Sequence, residues 1–282
     1  MQSSKRLSKL SFFLLPKLLL APLSGFNYSA VMEKKHEPQF HEGLLGTFTF
    51  EFLGSPREFT VFKSENQILT VKEIFSGKTF PAPPIDRQTV DCVLDIGGNI
   101  GAASLFFAIS YPNAQIHVFE PNPWTIPVLE RNIKDIDRIT HHPFGLFDHD
   151  KETEIEVAGF GGECSSIKQT MNPFASHPIE LRKAGRVLPE LTEGAQSIIV
   201  KVDTEGCEAE ILEEISSILP RVQVVYLEYH SENQRRRIDR FLTDHGMMVF
   251  QAASARPHRG DVFYIREEII AAIPYLDCYR TD

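Results

Sequence analysis

Residues 90–120 constrain the fold more than any other stretch of this chain. Val90-Asp91-Cys92-Val93-Leu94 is a short, largely apolar run with β-branched residues, the composition of a strand buried on both faces. It ends in Asp95-Ile96-Gly97-Gly98-Asn99-Ile100-Gly101, a glycine-rich turn, and residues 102–111 then read as a helix stopped by Pro112. The next apolar run, Gln115-Ile116-His117-Val118-Phe119, ends in Glu120, 19 residues beyond Gly101. Strand, tight loop, helix and strand make one βαβ unit with an acid closing its second strand.

Such a unit is a cofactor cradle. Glycines let the backbone approach a ligand, and the acid accepts hydrogen bonds from ribose hydroxyls. A dinucleotide fingerprint needs G-x-G-x-x-G to receive a pyrophosphate, and this loop does not supply it. Asp95 stands where a pyrophosphate would be repelled and where a sulfonium or an ammonium would be welcome. S-adenosylmethionine carries both cations and no phosphate. An ordinary glycine turn after a buried strand is the plainer reading, and the matched acid at Glu120 counts against it.

Val93-Leu94-Asp95-Ile96-Gly97-Gly98-Asn99-Ile100-Gly101 and Val118-Phe119-Glu120-Pro121-Asn122-Pro123 resemble the FkbM-type family of S-adenosylmethionine-dependent methyltransferases. Later stretches agree, Ile199-Val200-Lys201-Val202-Asp203-Thr204-Glu205-Gly206-Cys207-Glu208 and Leu227-Glu228-Tyr229-His230-Ser231, so the resemblance runs from about residue 69 to residue 266. Asparagine at position 99, where methyltransferases in general prefer glycine, fits the narrower family. The resemblance implies S-adenosylmethionine as cofactor, with Asp95, Gly97, Asn99, Gly101, Glu120 and Asn122 binding it. It also implies Phe147 against the adenine ring and Asp148 accepting from the exocyclic amine. Pro127 lies inside the expected next helix, around residues 128–136, and predicts a late start or a bend there.

With 282 residues, 42% hydrophobic and 24% charged, the chain can bury a full core. The formal net charge of -9 argues against nucleic acid as a partner, because phosphate contacts need clustered Lys and Arg. Cys92, Cys164, Cys207 and Cys278 are widely spaced and suggest neither a zinc site nor a disulfide framework. Lys5, Arg6 and Lys9 precede a broken apolar stretch through residue 23, an order that resembles a targeting segment. The stretch is shorter than the roughly 20 residues that span a bilayer, so the expectation for residues 5–23 is peripheral membrane contact or a leader. Cofactor supply points to the cytoplasm.

Residues 1–40 are read as this leader. Residues 41–84 follow as a hairpin around Gly54-Ser55-Pro56, a helix over residues 67–75 able to cover the cleft, and a stiff proline-rich connector. Residues 85–270 form the methyltransferase-like domain and residues 271–282 a tail. Within the domain, His141 and His142 point opposite ways on a strand and make a poor metal pair. Residues 154–157 read as a strand, residues 159–166 as a flexible loop, and residues 171–195 as an irregular insertion suited to substrate binding.

Residues 197–203 are the fourth buried strand, and its end places Asp203 and Glu205 at the cleft, since open α/β sheets bind ligands at the carboxyl ends of their strands. Glu208 and Glu210 open the next helix, where its dipole favours acids, and read as structural. Residues 222–227 are the fifth strand, with Glu228 and His230 sharing a face at its end. An unperturbed histidine titrates near neutrality and suits proton abstraction from a hydroxyl. Residues 247–252 and 261–265 complete the sheet as a terminal hairpin.

These readings add up to a doubly wound, Rossmann-like α/β domain with an antiparallel last strand. The expected reaction is methyl transfer to a hydroxyl of a sugar, polyketide or related small metabolite, with His230, Asp203, Glu205 and Glu228 as catalytic candidates and no metal. A nicotinamide-dependent oxidoreductase and a non-catalytic membrane-peripheral binding protein are the competing classes.

Overall fold

The computed structural model describes residues 42–159, 162, 164–168, 170, 172–256 and 258–272. The expected leader segment at residues 5–23 lies outside them, as does nearly all of the tail. No described helix is long and apolar enough to cross a membrane.

β1 (Leu45–Phe52) and β2 (Ser55–Phe62) pair antiparallel from Leu45↔Phe62 to Phe52↔Ser55. Their turn is Leu53-Gly54, both at positive φ, the backbone that a tight two-residue hairpin needs. It therefore sits just ahead of the expected Gly54-Ser55-Pro56, and Pro56 falls inside β2. Helix α1 (Glu65–Phe75) starts at Ser64, whose hydroxyl accepts from the amide of Gln67.

The domain then alternates. β3 (Cys92–Ile96) leads to α2 (Ala102–Ser110), β4 (Gln115–Phe119) to α3 (Ile126–Ile133), and β5 (Ile139–His142) follows. Pro127 sits in the first turn of α3, where its missing N–H has no helical partner to lose, so the helix opens at Ile126, ahead of the expected residue 128 and not late. β6 (Gly145–Phe147), β7 (Lys151–Val157) and β8 (Ala175–Lys183) form a small separate sheet in the order β6-β8-β7. After α4 (Ala184–Leu191) come β9 (Ile198–Val202), α5 (Glu208–Glu213), β10 (Val222–Tyr229), α6 (Glu232–Asp244), β11 (Met247–Arg256), β12 (Arg259–Arg266) and α7 (Glu267–Ala271).

The insertion expected to be irregular over residues 171–195 is thus largely β8 and α4. Pro178, Gly185 and Pro189 disguised it. Pro178 is tolerated because that half of β8 pairs only with β7, leaving its other edge open.

The main sheet runs β11-β12-β10-β9-β3-β4-β5, with the five strands from β10 to β5 parallel and β12 antiparallel to both neighbours. This is the doubly wound sheet with an antiparallel last strand that the sequence pattern predicts. The chain moves outward from β3 through β4 to β5, then returns to place β9 on the other side of β3. A crevice opens at such a reversal, above the carboxyl ends of the strands.

Period-two alternation divides the core between the two faces. In β3, Val93 joins the hydrophobic cluster with α1, α2 and α3, whereas Cys92, Leu94 and Ile96 join that with α4, α5 and α6. The hairpin belongs to the first cluster through Phe59, Val61 and Phe62, all fully buried. Asn132 of α3 fastens it: Oδ1 accepts from the Thr60 amide at 2.7 Å, and Nδ2 donates to the carbonyls of Thr60 and Ile100, each at 2.8 Å. One side chain therefore ties the hairpin to the glycine loop.

Candidate active site

The glycine loop is set by close approach. A Cβ on Gly97, at φ +85°, would lie 1.7 Å from the Asp203 carbonyl oxygen, so only glycine lets β3 and β9 meet there. Asn99 takes φ 46°, which asparagine tolerates better than most residues, and its amide donates to Glu120 Oε2 at 2.8 Å. The other oxygen of Glu120 accepts from the Asn122 amide at 2.9 Å. Burial pushes the Glu120 carboxyl up to about 7, against the pull of these two amides and of Lys201.

Two cavities meet at this loop, both touching Gly97, Asn99, Asp203 and Glu205. The larger, about 510 Å³, lies between α1 and the carboxyl ends of β9 and β10, with Arg259 and Asp261 of β12 along one wall. The smaller, about 100 Å³, has Glu120 and Asn122 on one side and the apolar Leu146, Ile155, Ile167 and Leu181 on the other.

Most of the expected cofactor residues gather here. Gly97, Asn99, Glu120 and Asn122 line the smaller cavity; Gly101 caps α2 at φ 84° and lines neither. Asp95 is a correction: it has no solvent exposure and lines neither cavity. Its Oδ2 accepts from the Ser104 hydroxyl at 2.6 Å, and its Oδ1 lies 3.3 Å from Lys201 Nζ. The acid seen in the sequence is therefore the counter-ion of a buried lysine beneath the loop. Phe147 and Asp148 also depart from expectation, because the chain leaves the main sheet at Gly145 and β6 joins the small one. Phe147 packs beside His149 and under Lys151, Asp148 pairs with His149 at 2.5 Å, and neither lines a cavity. His142 pairs with His117 and His141 turns to Glu130, as the opposed directions of adjacent side chains require.

Lys201 is the one charge in the buried run of β9, and that was the signal available in the sequence. Its ammonium donates to the Gly97 carbonyl at 2.5 Å and lies 3.9 Å from Asp203 Oδ2. Burial opposes its charge, but Asp95 and Asp203 outweigh that and raise its pKa. Asp203 touches both cavities. Burial, then repulsion from Glu228, pushes its carboxyl up to about 8, with Lys201 pulling the other way.

His230 overturns its expected role as a base. Nδ1 lies 2.9 Å from Glu208 Oε1, and Nε2 lies 3.1 Å from Glu205 Oε2 and 3.7 Å from Glu228 Oε1. Burial disfavours the imidazolium, yet the bonds to Glu205 and Glu208 win and raise its pKa to about 10. At neutral pH the ring is a cation with no lone pair to offer, and it lines neither cavity. Asp203, Glu228 and His230 bring ligand-capable atoms within 4.8 Å of one another, a grouping that could hold a metal ion. Arg259 completes the network, giving Nε to Glu228 at 2.7 Å and a terminal nitrogen to Glu205 at 3.0 Å. Glu208 and Arg259 looked like a helix-start acid and a hairpin residue in the sequence; only the tertiary fold shows them gripping the site.

A doubly wound sheet of this strand order, with a carboxylate-lined crevice at its switch point, is a Rossmann-like α/β fold. Residues 95–249 match the family described as Methyltransferase FkbM domain, and the chain belongs to that family. It is 26% identical over 161 residues to Methyltransferase 1 of Beauveria bassiana, covering 50% of this chain and 64% of that protein. It is also 26% identical to the hexuronic acid methyltransferase AglP of Haloferax volcanii, over 69% of this chain and 79% of that one. With the 31-O-demethyl-FK506 methyltransferase FkbM of Streptomyces tacrolimicus it shares 24% identity, over 63% of this chain and 80% of that protein. Among solved structures, methyltransferase FkbM from Methylobacillus flagellatus superposes with a TM-score of 0.44 at 15% identity, covering 67% of this chain and 47% of that one.

The methyl donor of this family is S-adenosylmethionine, and the residues fit it. The acids that border the smaller cavity beside the loop, Glu120, Asp203 and Glu205, suit a cationic donor. The small cavity has apolar walls for a base and a carboxylate, Glu120, for the ribose. This membership sets aside the nicotinamide-dependent oxidoreductase as a reading.

Proposed function

We propose that this protein methylates a hydroxyl oxygen of a small acceptor held in the larger cavity, with Asp203 as the base. The observation that carries this reading is the position of Asp203: its carboxylate borders both cavities and its pKa of about 8 suits it to take a proton near neutral pH. Support also comes from the relatives, whose names include a hexuronic acid methyltransferase, a 31-O-demethyl-FK506 methyltransferase and, in Sinorhizobium fredii, a 2-O-methyltransferase.

When bound, the donor supplies an electrophilic methyl on a sulfonium. The acceptor oxygen would bond to that methyl as the sulfur leaves, and the hydroxyl proton would go to Asp203. Glu228 and Glu205 make Asp203 more basic by repulsion, while Lys201 limits the rise. Arg259 and protonated His230 hold those two acids in place, so His230 is a positioning residue. Helix α1 walls the cavity opposite, with Gln67 Nε2 donating to Asn99 Oδ1 at 3.3 Å, and shields the acceptor from water. Cofactor supply places the work in the cytoplasm.

The test is transfer of isotope-labelled methyl from S-adenosylmethionine to hydroxyl compounds in a cell extract, with products mapped by tandem mass spectrometry. Asp203→Asn should lower turnover about a hundredfold or more with product-cofactor affinity intact, as loss of a general base does. Methyl groups found on nitrogen or carbon, or full turnover in the variant, would overturn this reading.

A further inference from the structure

The carboxylates of the larger cavity are not equivalent. Glu205 and Glu228 are held by Arg259, Asp203 stands beside Lys201, and Glu73 of α1 pairs with Lys78. Asp261 is different: among the described residues its half-buried carboxylate has no hydrogen bond and no ion pair within 4 Å. The register of β10 with β12 sets it directly opposite Glu228, so the two side chains share one face of the sheet. Like charges directly opposite on neighbouring strands destabilise a sheet; Arg259, bonded to Glu228, offsets this only in part, and Asp261 lines the larger cavity without a bond of its own. A carboxylate set in a like-charged cavity wall and given no bonding partner among the described residues is the mark of a group kept for a ligand.

We propose that Asp261 selects the acceptor, holding a hydrogen-bond-donating, uncharged or aminated part of a sugar while its reacting hydroxyl lies at Asp203. The inference rests on the O-methyltransferase reading above. Two carboxylate oxygens match a pair of vicinal hydroxyls or one ammonium. The same oxygens, with Glu228 opposite and Glu73 across the cavity, repel an acceptor that carries a carboxylate or phosphate there. Burial and then Glu228 push the Asp261 carboxyl up to about 6, the response of an acid in an already negative wall. On this point the chain parts from the hexuronic acid methyltransferase it is similar to, because a hexuronate would bring a further negative charge to that wall.

The experiment is isothermal titration of the full chain, saturated with S-adenosylhomocysteine, with glucosamine, glucose and glucuronate in turn. Glucosamine and glucose should bind at least about tenfold more tightly than glucuronate, the scale of a charge-assisted hydrogen bond set against a repulsion. Asp261→Asn should abolish that margin while melting no lower than the parent, since it removes the repulsion with Glu228. Equal affinity for glucuronate, an unchanged margin in Asp261→Asn, or no binding of any of the three sugars would each overturn the proposal. Failure of S-adenosylhomocysteine itself to bind would instead strike at the methyltransferase site on which it rests.

Discussion

His230 Nδ1 stands 2.9 Å from Glu208 Oε1, and the Glu208 side chain has no exposure to solvent. Glu208 also receives the Gly206 amide at 2.8 Å, so this carboxylate ties the loop after β9 to the end of β10. Without the imidazolium, a buried carboxylate would be left with neutral donors alone. His230→Ala should therefore destabilise the fold by about 3 kcal/mol, the cost of removing one partner of a buried pair, read in urea denaturation. Turnover should survive in the molecules that remain folded. If stability is unchanged and turnover alone collapses, His230 acts on the substrate after all.

The same pair gives stability a defined pH dependence. The pKa of His230 is about 10 in the fold against an ordinary value of 6.5, so the folded state binds this proton more tightly. Its contribution is complete below about pH 6.5 and is lost as pH rises through about 10. Melting temperature should fall across that window, and His230→Gln should fall less steeply. Parallel curves for the two proteins would show that the histidine does not carry the effect.

Asp203 predicts a rate profile of the opposite sense. A base must be unprotonated to act, so with a pKa of about 8 turnover should climb with pH and level off above 8. Its raised pKa also means that the folded state gives up the proton less readily than the unfolded chain, so ionising Asp203 costs stability as pH rises through 8. Asp203→Asn should melt higher than the parent at pH 9 while losing turnover. A variant that melts lower there would make Asp203 a structural residue.

Lys201 should behave as the hub of the loop. Lys201→Met leaves Asp95, wholly buried, without its cation, and about 3 to 5 kcal/mol of stability should go with it. Lys201 also lowers the pKa of Asp203. Removing that charge should thus shift the rise in the rate profile of the Lys201→Met protein that remains folded to higher pH. A profile identical to the parent's would confine Lys201 to holding Asp95.

The sequence displayed the sheet well, because buried parallel strands announce themselves as continuous apolar runs, and β3, β4, β9 and β10 all do so. It displayed the cleft residues Asp203, Glu205 and Glu228 through topology, since they follow directly from strand ends at a reversal. It could not display charge state. His230 looked like a histidine of ordinary pKa because Glu205 and Glu208 reach it only through the turn after β9, and Asp95 looked exposed because Lys201 covers it from a strand 106 residues away. Phe147 was misplaced for another reason: a strand that changes sheets at Gly145 keeps the same apolar pattern as one that stays.

Gly97 allows a sharper test of the loop, because Gly54 supplies an internal control. Both sit at nearly the same positive φ, +85° and +83°, so alanine at either position meets the same backbone penalty. That penalty alone is about 1 kcal/mol, and it is all that Gly54→Ala should show, for a Cβ there meets nothing within 4 Å. At Gly97 the added carbon would fall 1.7 Å from the Asp203 carbonyl oxygen, so β3 and β9 must part at the point where the two cavities join. Gly97→Ala should therefore lose clearly more stability than Gly54→Ala and weaken S-adenosylhomocysteine at least about tenfold, as a misplaced site does. Equal melting temperatures and equal cofactor affinity in the two variants would mean that the strands separate without cost and that the loop does not depend on their contact.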